Sequence, residues 1–344
     1  MKFEPVKITD IAKALGLSSA TVSRAFRDSH EISEKTKKKV MDYARSVNYR
    51  PNPVAQNLKD KRSRALGVVV AEIANSFYSQ IIDGIESAAH AKGYHVIIAQ
   101  SHELLEKEID AVNYLASRSV DGILISLSGE SEHIDHLTNL HDKGMPYVFF
   151  DRVTDQIDTF QITSDNFSGA KQATLHLLDQ GFERVAFLGG TAHLSITRER
   201  LNGYLAAHGE RNTGPDKNLI RFCPVGGLQY YEVETAMQQF MSAPTPPDAL
   251  LACSDKLTTN IFRYCREQRI AIPQQLALIG FSNLDLTEYL EPPLSIIRQP
   301  AFEMGETAAL MMIRLLEAPY PLNDFESKVL PPDCVLRRSS IRLV

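Results

Sequence analysis

Beyond residue 64 the chain settles into a repeating hydrophobic code. Nearly unbroken apolar runs at 66–70, 94–98, 122–125, 147–150, 185–188, 249–252 and 276–279 alternate with stretches whose apolar positions recur every three or four residues. Such runs are strands buried on both faces, and the amphipathic stretches are their helical crossovers, so the fold class is α/β with parallel sheets. Seven strands exceed one small sheet. Two similar lobes with a cleft between them are the expected arrangement. Ahead of residue 65 the code is helical only.

Three short helices are predicted there. Thr9 is placed to cap a helix over 10–15 that stops at Gly16, and Ser18 to cap a second over 19–26, leaving a turn of about three residues with a glycine in it. Small Ala12 permits a close crossing, and Leu15 and Val22 supply apolar contact. That pattern is a helix-turn-helix. Ser33 opens a third helix whose apolar positions Val40, Tyr43, Ala44 and Val47 leave Lys35, Lys37, Lys38 and Lys39 outside. In such a unit the second helix enters the major groove, with its early residues at base edges. Ser19, Ala20 and Arg24 are therefore the base-reading candidates: Arg24 as a fork for guanine, Ala20 against a thymine methyl. The hydroxyls of Ser18, Thr21 and Ser23 suit phosphate oxygens.

The stretch 51–64 is a linker with its own helix-start signal, Asn52 before Pro53. Only about seven helical residues fit before the first strand, too few to be stable alone in water. This hinge helix is expected to form only when held. Ala55 and Leu58 share one face of it, and Leu58 either wedges between minor-groove base steps or packs on its own domain.

Charge divides the chain in the same place. Residues 1–64 carry 15 Lys and Arg against 7 Asp and Glu, whereas 65–344 carry 22 against 35, so a net charge of -5 hides a basic head on an acidic body. Nucleic-acid contact is expected at the head alone. With 44% hydrophobic and 23% charged residues the chain is not disordered, and no apolar run approaches the roughly 18 residues of a membrane span. Without an export signal, a cytoplasmic location follows as an expectation. The four cysteines are scattered, so neither a zinc site nor a disulfide framework is indicated. No cofactor is expected.

In open α/β sheets, ligands bind beyond the carboxyl ends of the strands. The residues there are polar or aromatic, and Phe77, Tyr78, Ser126, Asp151, Ser254, Asp255 and Ser282 form the candidate effector set. Hydroxyls and carboxylates converging with aromatic rings suit a polyhydroxylated ligand such as a sugar. Enzyme motifs are missing: there is no G-x-S-x-G, no G-x-x-x-x-G-K-[ST], and His102–Glu106 is not H-E-x-x-H.

The run Ile8-Thr9-Asp10-Ile11-Ala12 through Gly16-Leu17-Ser18-Ser19-Ala20-Thr21-Val22-Ser23-Arg24, followed by Tyr49-Arg50-Pro51-Asn52-Pro53-Val54-Ala55, resembles the LacI/GalR family of bacterial transcription regulators, and the likeness extends over the whole chain. The resemblance implies a two-lobed, periplasmic-binding-protein-like body, an operator-reading second helix, a hinge leucine (Leu58) that intercalates at the operator centre, and Arg200 as an effector-holding residue. It also implies a first lobe of about 65–163 plus 294–325 and a second of about 164–293 plus 326–344.

Two departures from the family pattern bear on the effector. Ser254-Asp255 stands where Asn-Asp is usual, and Gly280-Phe281-Ser282-Asn283 where Gly-aromatic-Asp-Asp is common. A sugar-reading carboxylate is missing, which favours a sugar acid or other anionic effector. The C-terminus at Val344 carries no apolar heptad tail, so a homodimer on a pseudo-palindromic operator is expected. The expected function is a ligand-responsive transcription regulator, a repressor of carbohydrate-use genes; the alternative is a solute-binding module of a sugar transport or sensing system.

Overall fold

The computed structural model describes residues 6–26, 29–49 and 62–342, and the chain divides into two units, Met1–Ser63 and Arg64–Val344.

In the first unit three helices, α1 (Ile8–Leu15), α2 (Ser19–Phe26) and α3 (Glu34–Ser46), enclose a small core. Ile11, Ala12, Val22, Ala25, Val40 and Ala44 are buried in it, with the Phe26 and Tyr49 rings 5.2 Å apart at its edge. Gly16 makes the turn: its φ of 66° is left-handed, and the Leu17 N–H returns to the Ala12 carbonyl at 2.9 Å. Ser18 and Ser33 are the expected caps. Their hydroxyls accept from the N–H groups of Thr21 (3.0 Å) and Thr36 (3.3 Å). The first helix differs from expectation. It begins at Ile8, so Thr9 lies inside it, and the Asp10 carboxylate secures the start by accepting the Lys7 N–H at 2.8 Å. The linker positions Ala55 and Leu58 lie outside the described residues.

The second unit holds two six-stranded sheets. The first runs β11 (Ser327–Leu330), β5 (Gln161–Ser164), β4 (Tyr147–Phe150), β3 (Gly122–Ile125), β1 (Ala65–Val70), β2 (His95–Gln100). The second runs β12 (Asp333–Val335), β10 (Ser295–Arg298), β9 (Ala277–Phe281), β8 (Ala249–Ala252), β6 (Val185–Gly189), β7 (Ile220–Phe222). Pairing is parallel except between β10 and β12. Each sheet is covered on both faces. In the first, Leu66, Val68 and Val70 join one buried cluster, while Val69, Ile123 and Ile125 join the cluster on the other side, the two-residue alternation of a strand with no wet face.

Helices α4 (Ser76–Ala91) and α11 (Ala301–Glu317) pack together over the first sheet. Their backbones nearly touch. A Cβ on Gly305 would sit 2.0 Å from the Ile81 carbonyl oxygen, and one on Gly84 would sit 2.1 Å from that of Phe302. Because α11 follows β10, the lobe boundaries differ from those expected. Residues 295–298 belong to the second sheet through pairing with β9, and 327–330 belong to the first through pairing with β5. Three crossovers, near 165, 299 and 331, therefore join the lobes. They are too short to leave a compositional mark.

Candidate functional site: a DNA-reading helix and an interlobe cleft

In the first unit, α2 presents Ser19, Ala20 and Arg24 to solvent, while Val22 and Ala25 face the core. The Ser18 hydroxyl lies 2.9 Å from that of Thr21 as well as capping the helix, and Thr21 and Ser23 are half-buried. Arg24 is not idle: its Nε is 3.2 Å from a Glu31 carboxylate oxygen, with both side chains about half exposed.

In the second unit, strand ends from the two lobes meet around one small cavity of about 50 Å³. Phe77, Tyr78 and Asp151 line it from the first lobe, and Arg200, Ser254, Asp255 and Ser282 from the second. Ser126 stands behind, its hydroxyl 3.2 Å from that of Tyr78. All eight expected residues are thus brought together. The reason is topological, since parallel strands in both sheets end on the cleft.

The first-lobe wall is anchored by α4. The Asn75 side chain accepts the Phe77 N–H at 2.9 Å, which fixes the Phe77-Tyr78 turn over the cleft. The Tyr78 hydroxyl donates to Asp151 Oδ2 at 3.1 Å, and burial pushes its ionisation up. Burial also raises the Asp151 carboxyl, against the pull of Arg152 and Arg200. Asp151 adopts a φ of 59°, a left-handed conformation tolerated at sites where geometry is imposed. Beside it, Arg152 forks onto Glu103, with Nη2 2.8 Å from Oε1. Burial alone would lift the Glu103 carboxyl, but Arg152 and the Gly129 N–H hold it below its ordinary value.

The second-lobe wall centres on Arg200, which projects from α8 (Ser195–Glu210) and is almost fully buried. It donates through Nε to Asn166 (2.8 Å), through Nη1 to the Cys253 carbonyl (2.6 Å) and through Nη2 to Gln299 (3.3 Å). Its guanidinium lies 3.8 Å over the Phe281 ring. Desolvation lowers its pKa, opposed by Asp151. Asp255 begins α10 (Asp255–Glu267), where Ser254 caps the helix by accepting the Leu257 N–H at 3.2 Å. The Ser282 hydroxyl donates to Asp255, whose carboxyl is raised by burial. Ser282 therefore meets a carboxylate instead of supplying one.

Gln299 and Asn166, both at crossovers between the lobes, belong to this wall: they set the plane of Arg200, and Gln299 also lines the cavity. Only their position at crossovers could have hinted at it. The turn at Gly189-Gly190 does not line the cavity.

Comparison with known proteins agrees with both halves. Residues 7–52 match the family model described as bacterial regulatory proteins, lacI family, and residues 174–341 match a periplasmic binding protein-like domain. The chain is 31% identical over 304 residues to the transcriptional repressor CytR of Escherichia coli K12, covering 88% of each. It is 29% identical over 336 residues to the repressor PurR of Vibrio atlanticus, covering 97% of this chain and 98% of that one. Among solved structures, the transcriptional regulator CelR in complex with cellobiose matches with a TM-score of 0.71 at 26% identity, covering 97% of this chain and 99% of that one. The basic helix-turn-helix at the head of the chain sets aside a transport module, and the relatives are regulators, not enzymes. The chain belongs to the lacI family of bacterial regulatory proteins and is a ligand-responsive, DNA-binding transcription regulator.

Proposed function

We propose that this regulator is a cytoplasmic homodimer that represses carbohydrate-use genes from a pseudo-palindromic operator and is switched by a sugar or sugar-acid effector. On the DNA side Ser19, Ala20 and Arg24 read bases, Ser18, Thr21 and Ser23 meet phosphates, and Ala55 and Leu58 enter the minor groove. On the effector side Phe77, Tyr78, Ser126, Asp151, Arg200, Ser254, Asp255 and Ser282 form the pocket. The observation that carries the reading is the meeting of buried Asp151 and Arg200 and half-buried Asp255 with Phe77 and Tyr78 at the strand ends of both lobes. Charged groups flanked by aromatic rings suit a small ligand rich in hydroxyls. Among the described residues no helix is long and apolar enough to cross a membrane.

The test uses operator DNA selected from random sequence. Binding should weaken steeply as salt rises, because phosphate contacts release counterions, and a sugar or sugar acid should shift it. Leu58→Gly should lose operator affinity while keeping effector affinity in the absence of DNA. Effector-insensitive operator binding across sugars and sugar acids would overturn the effector assignment.

A further inference from the structure

The residue at which the chain enters the second unit is held in a strained conformation. Arg64 has a φ of 53°, a left-handed backbone that is costly for a residue with a Cβ and free for glycine. Its main chain is fixed from two sides: the Arg64 N–H donates to Asp121 Oδ2 at 2.9 Å, and the Arg64 carbonyl accepts the His95 N–H at 2.8 Å. Its guanidinium is fixed from three. Nη1 donates to the Lys92 carbonyl at 3.4 Å and stands 3.7 Å from Glu317 Oε1, and the group lies 5.2 Å from the centre of the Tyr94 ring. Tyr94 in turn donates its hydroxyl to Glu317 at 3.4 Å. The Arg64 and Glu317 side chains are about half exposed, so their ion pair adds little stability. Strain that the surroundings over-determine in this way is found at switch regions.

The partners of Arg64 share an origin. Lys92 caps the end of α4 and Glu317 ends α11, while Asp121 lies between α5 (Leu105–Ser117) and β3. All three helices begin at the cleft. α4 opens with Phe77 and Tyr78, and α11 follows the crossover residue Gln299, all of which line the cavity. α5 begins under the rim: the Leu105 N–H donates to Glu130 at 3.0 Å, and buried Glu108 accepts the Ser131 hydroxyl at 2.8 Å. The same rim loop brings the Glu132 carboxylate to 3.5 Å from Nδ1 of His193 in the second lobe. At 1.5 Å per residue these helices are about 20 to 25 Å long. Each runs from the carboxyl edge of the strands, where the cleft lies, to the opposite edge, where β1 starts. Arg64 therefore gathers the far ends of three rods whose near ends face the second lobe.

We propose that Arg64 is a positioning residue of the switch: it collects the displacements of the three helix ends and passes them to the linker as a change in the direction in which the chain leaves the body. Helices are stiff and close-packed interiors transmit strain, so a cleft that opens or closes moves the socket around Arg64. The clamp makes the direction specific. Glycine at this position would turn the chain without strain but leave it unclamped.

Linkage makes the test independent of any effector, because a cleft whose state alters operator binding must itself be altered by operator. The probe is operator DNA selected from random sequence, and the readout is hydrogen exchange of the full chain with and without it. In the wild type, operator should change exchange of the amides at 77–80 and 128–132 by at least about twofold. Arg64→Gly should keep its fold, as the melting temperature reports, and its operator affinity within about threefold, yet lose the change at both segments. Arg64→Lys should retain part of the change, since an ammonium still pairs with Glu317 but gives up the flat approach to the Tyr94 ring. Changes of equal size in wild type and Arg64→Gly, or none in the wild type, would overturn the assignment. So would a larger loss of operator affinity in Arg64→Gly, which would place Arg64 in the DNA contact itself.

Discussion

Gln80 and Asn283 hold the two lobes to each other by a reciprocal pair of hydrogen bonds. The Gln80 amide donates to the Asn283 main-chain carbonyl at 3.1 Å, and the Asn283 amide donates back to the Gln80 side-chain oxygen at 2.8 Å. Asn283 Nδ2 also reaches the Gln299 carbonyl at 2.8 Å, so the clasp is tied to the crossover beneath it. Closing the cleft orders both amides, and opening it exposes them to water. Gln80→Ala should shift the balance toward the open form by about 1 kcal/mol, the net worth of a protein hydrogen bond. Small-angle scattering should then show a larger radius of gyration for the effector-free variant than for the wild type.

Arg200 can be separated from the DNA-binding function. Arg200→Ala removes a guanidinium that is stacked on Phe281 and bonded to Asn166, Cys253 and Gln299. Effector affinity should fall by roughly 2 to 3 kcal/mol, about 30- to 150-fold, while operator affinity without effector stays near wild type. Arg200→Lys should fare little better, since an ammonium can neither stack flat on the ring nor reach three partners from one plane. Calorimetry for the effector and fluorescence anisotropy for the operator check both halves.

If Arg24 reads a base as proposed, Glu31 competes with DNA for it. The ion pair at 3.2 Å is exposed and worth about 0.2 to 1 kcal/mol, so breaking it to reach a base costs little but not nothing. Glu31→Gln should tighten operator binding about two- to fivefold, whereas Arg24→Ala should relax sequence preference at one base pair per half-site. Site selection on both variants decides the point. Unchanged preference in Arg24→Ala would remove it from the readers.

Acid should weaken the effector before it weakens the fold. Burial raises the Asp151 and Asp255 carboxyls above the usual aspartate value of about 3.9. A carboxyl with a raised folded-state pKa binds its proton more tightly in the native chain than in the unfolded one. Falling pH through the raised values therefore adds stability from these two groups. The same protonation removes acceptors from a hydroxyl-bearing effector, so its affinity should drop in that window while the melting temperature holds. In Asp255→Asn the pH dependence of effector affinity should be smaller.

What the sequence discloses follows from burial. Strands such as β3 and β4 are dry on both faces, so four consecutive apolar residues announce them, and the polar residues after them announce the cleft. The edge strands are silent for the opposite reason. Ser327–Leu330 is exposed at three of four positions and Ile220–Phe222 is nowhere buried, so neither leaves an apolar run. Ser295–Arg298 is central, but a serine and an arginine at its ends shorten its apolar signature to two isoleucines. The caps at Ser18 and Ser33 are local and therefore legible. Gln299 and Asn166 are not, because nothing near either residue in the sequence records that Arg200 lies between them.

The three crossovers also order events in time. A chain made from its N-terminus completes the helix-turn-helix unit first, yet neither sheet behind it can close until the last strands arrive, β11 for one and β12 for the other. For most of its synthesis the nascent protein is thus a reader with no sensor attached. A ribosome that stalls before residue 327 leaves strand edges open in both lobes at once, β5 in one and β10 in the other. Such a product has no intact half to fall back on and is marked for aggregation or proteolysis. Interleaving the lobes thus makes the completion of both sheets depend on the last strands to be made.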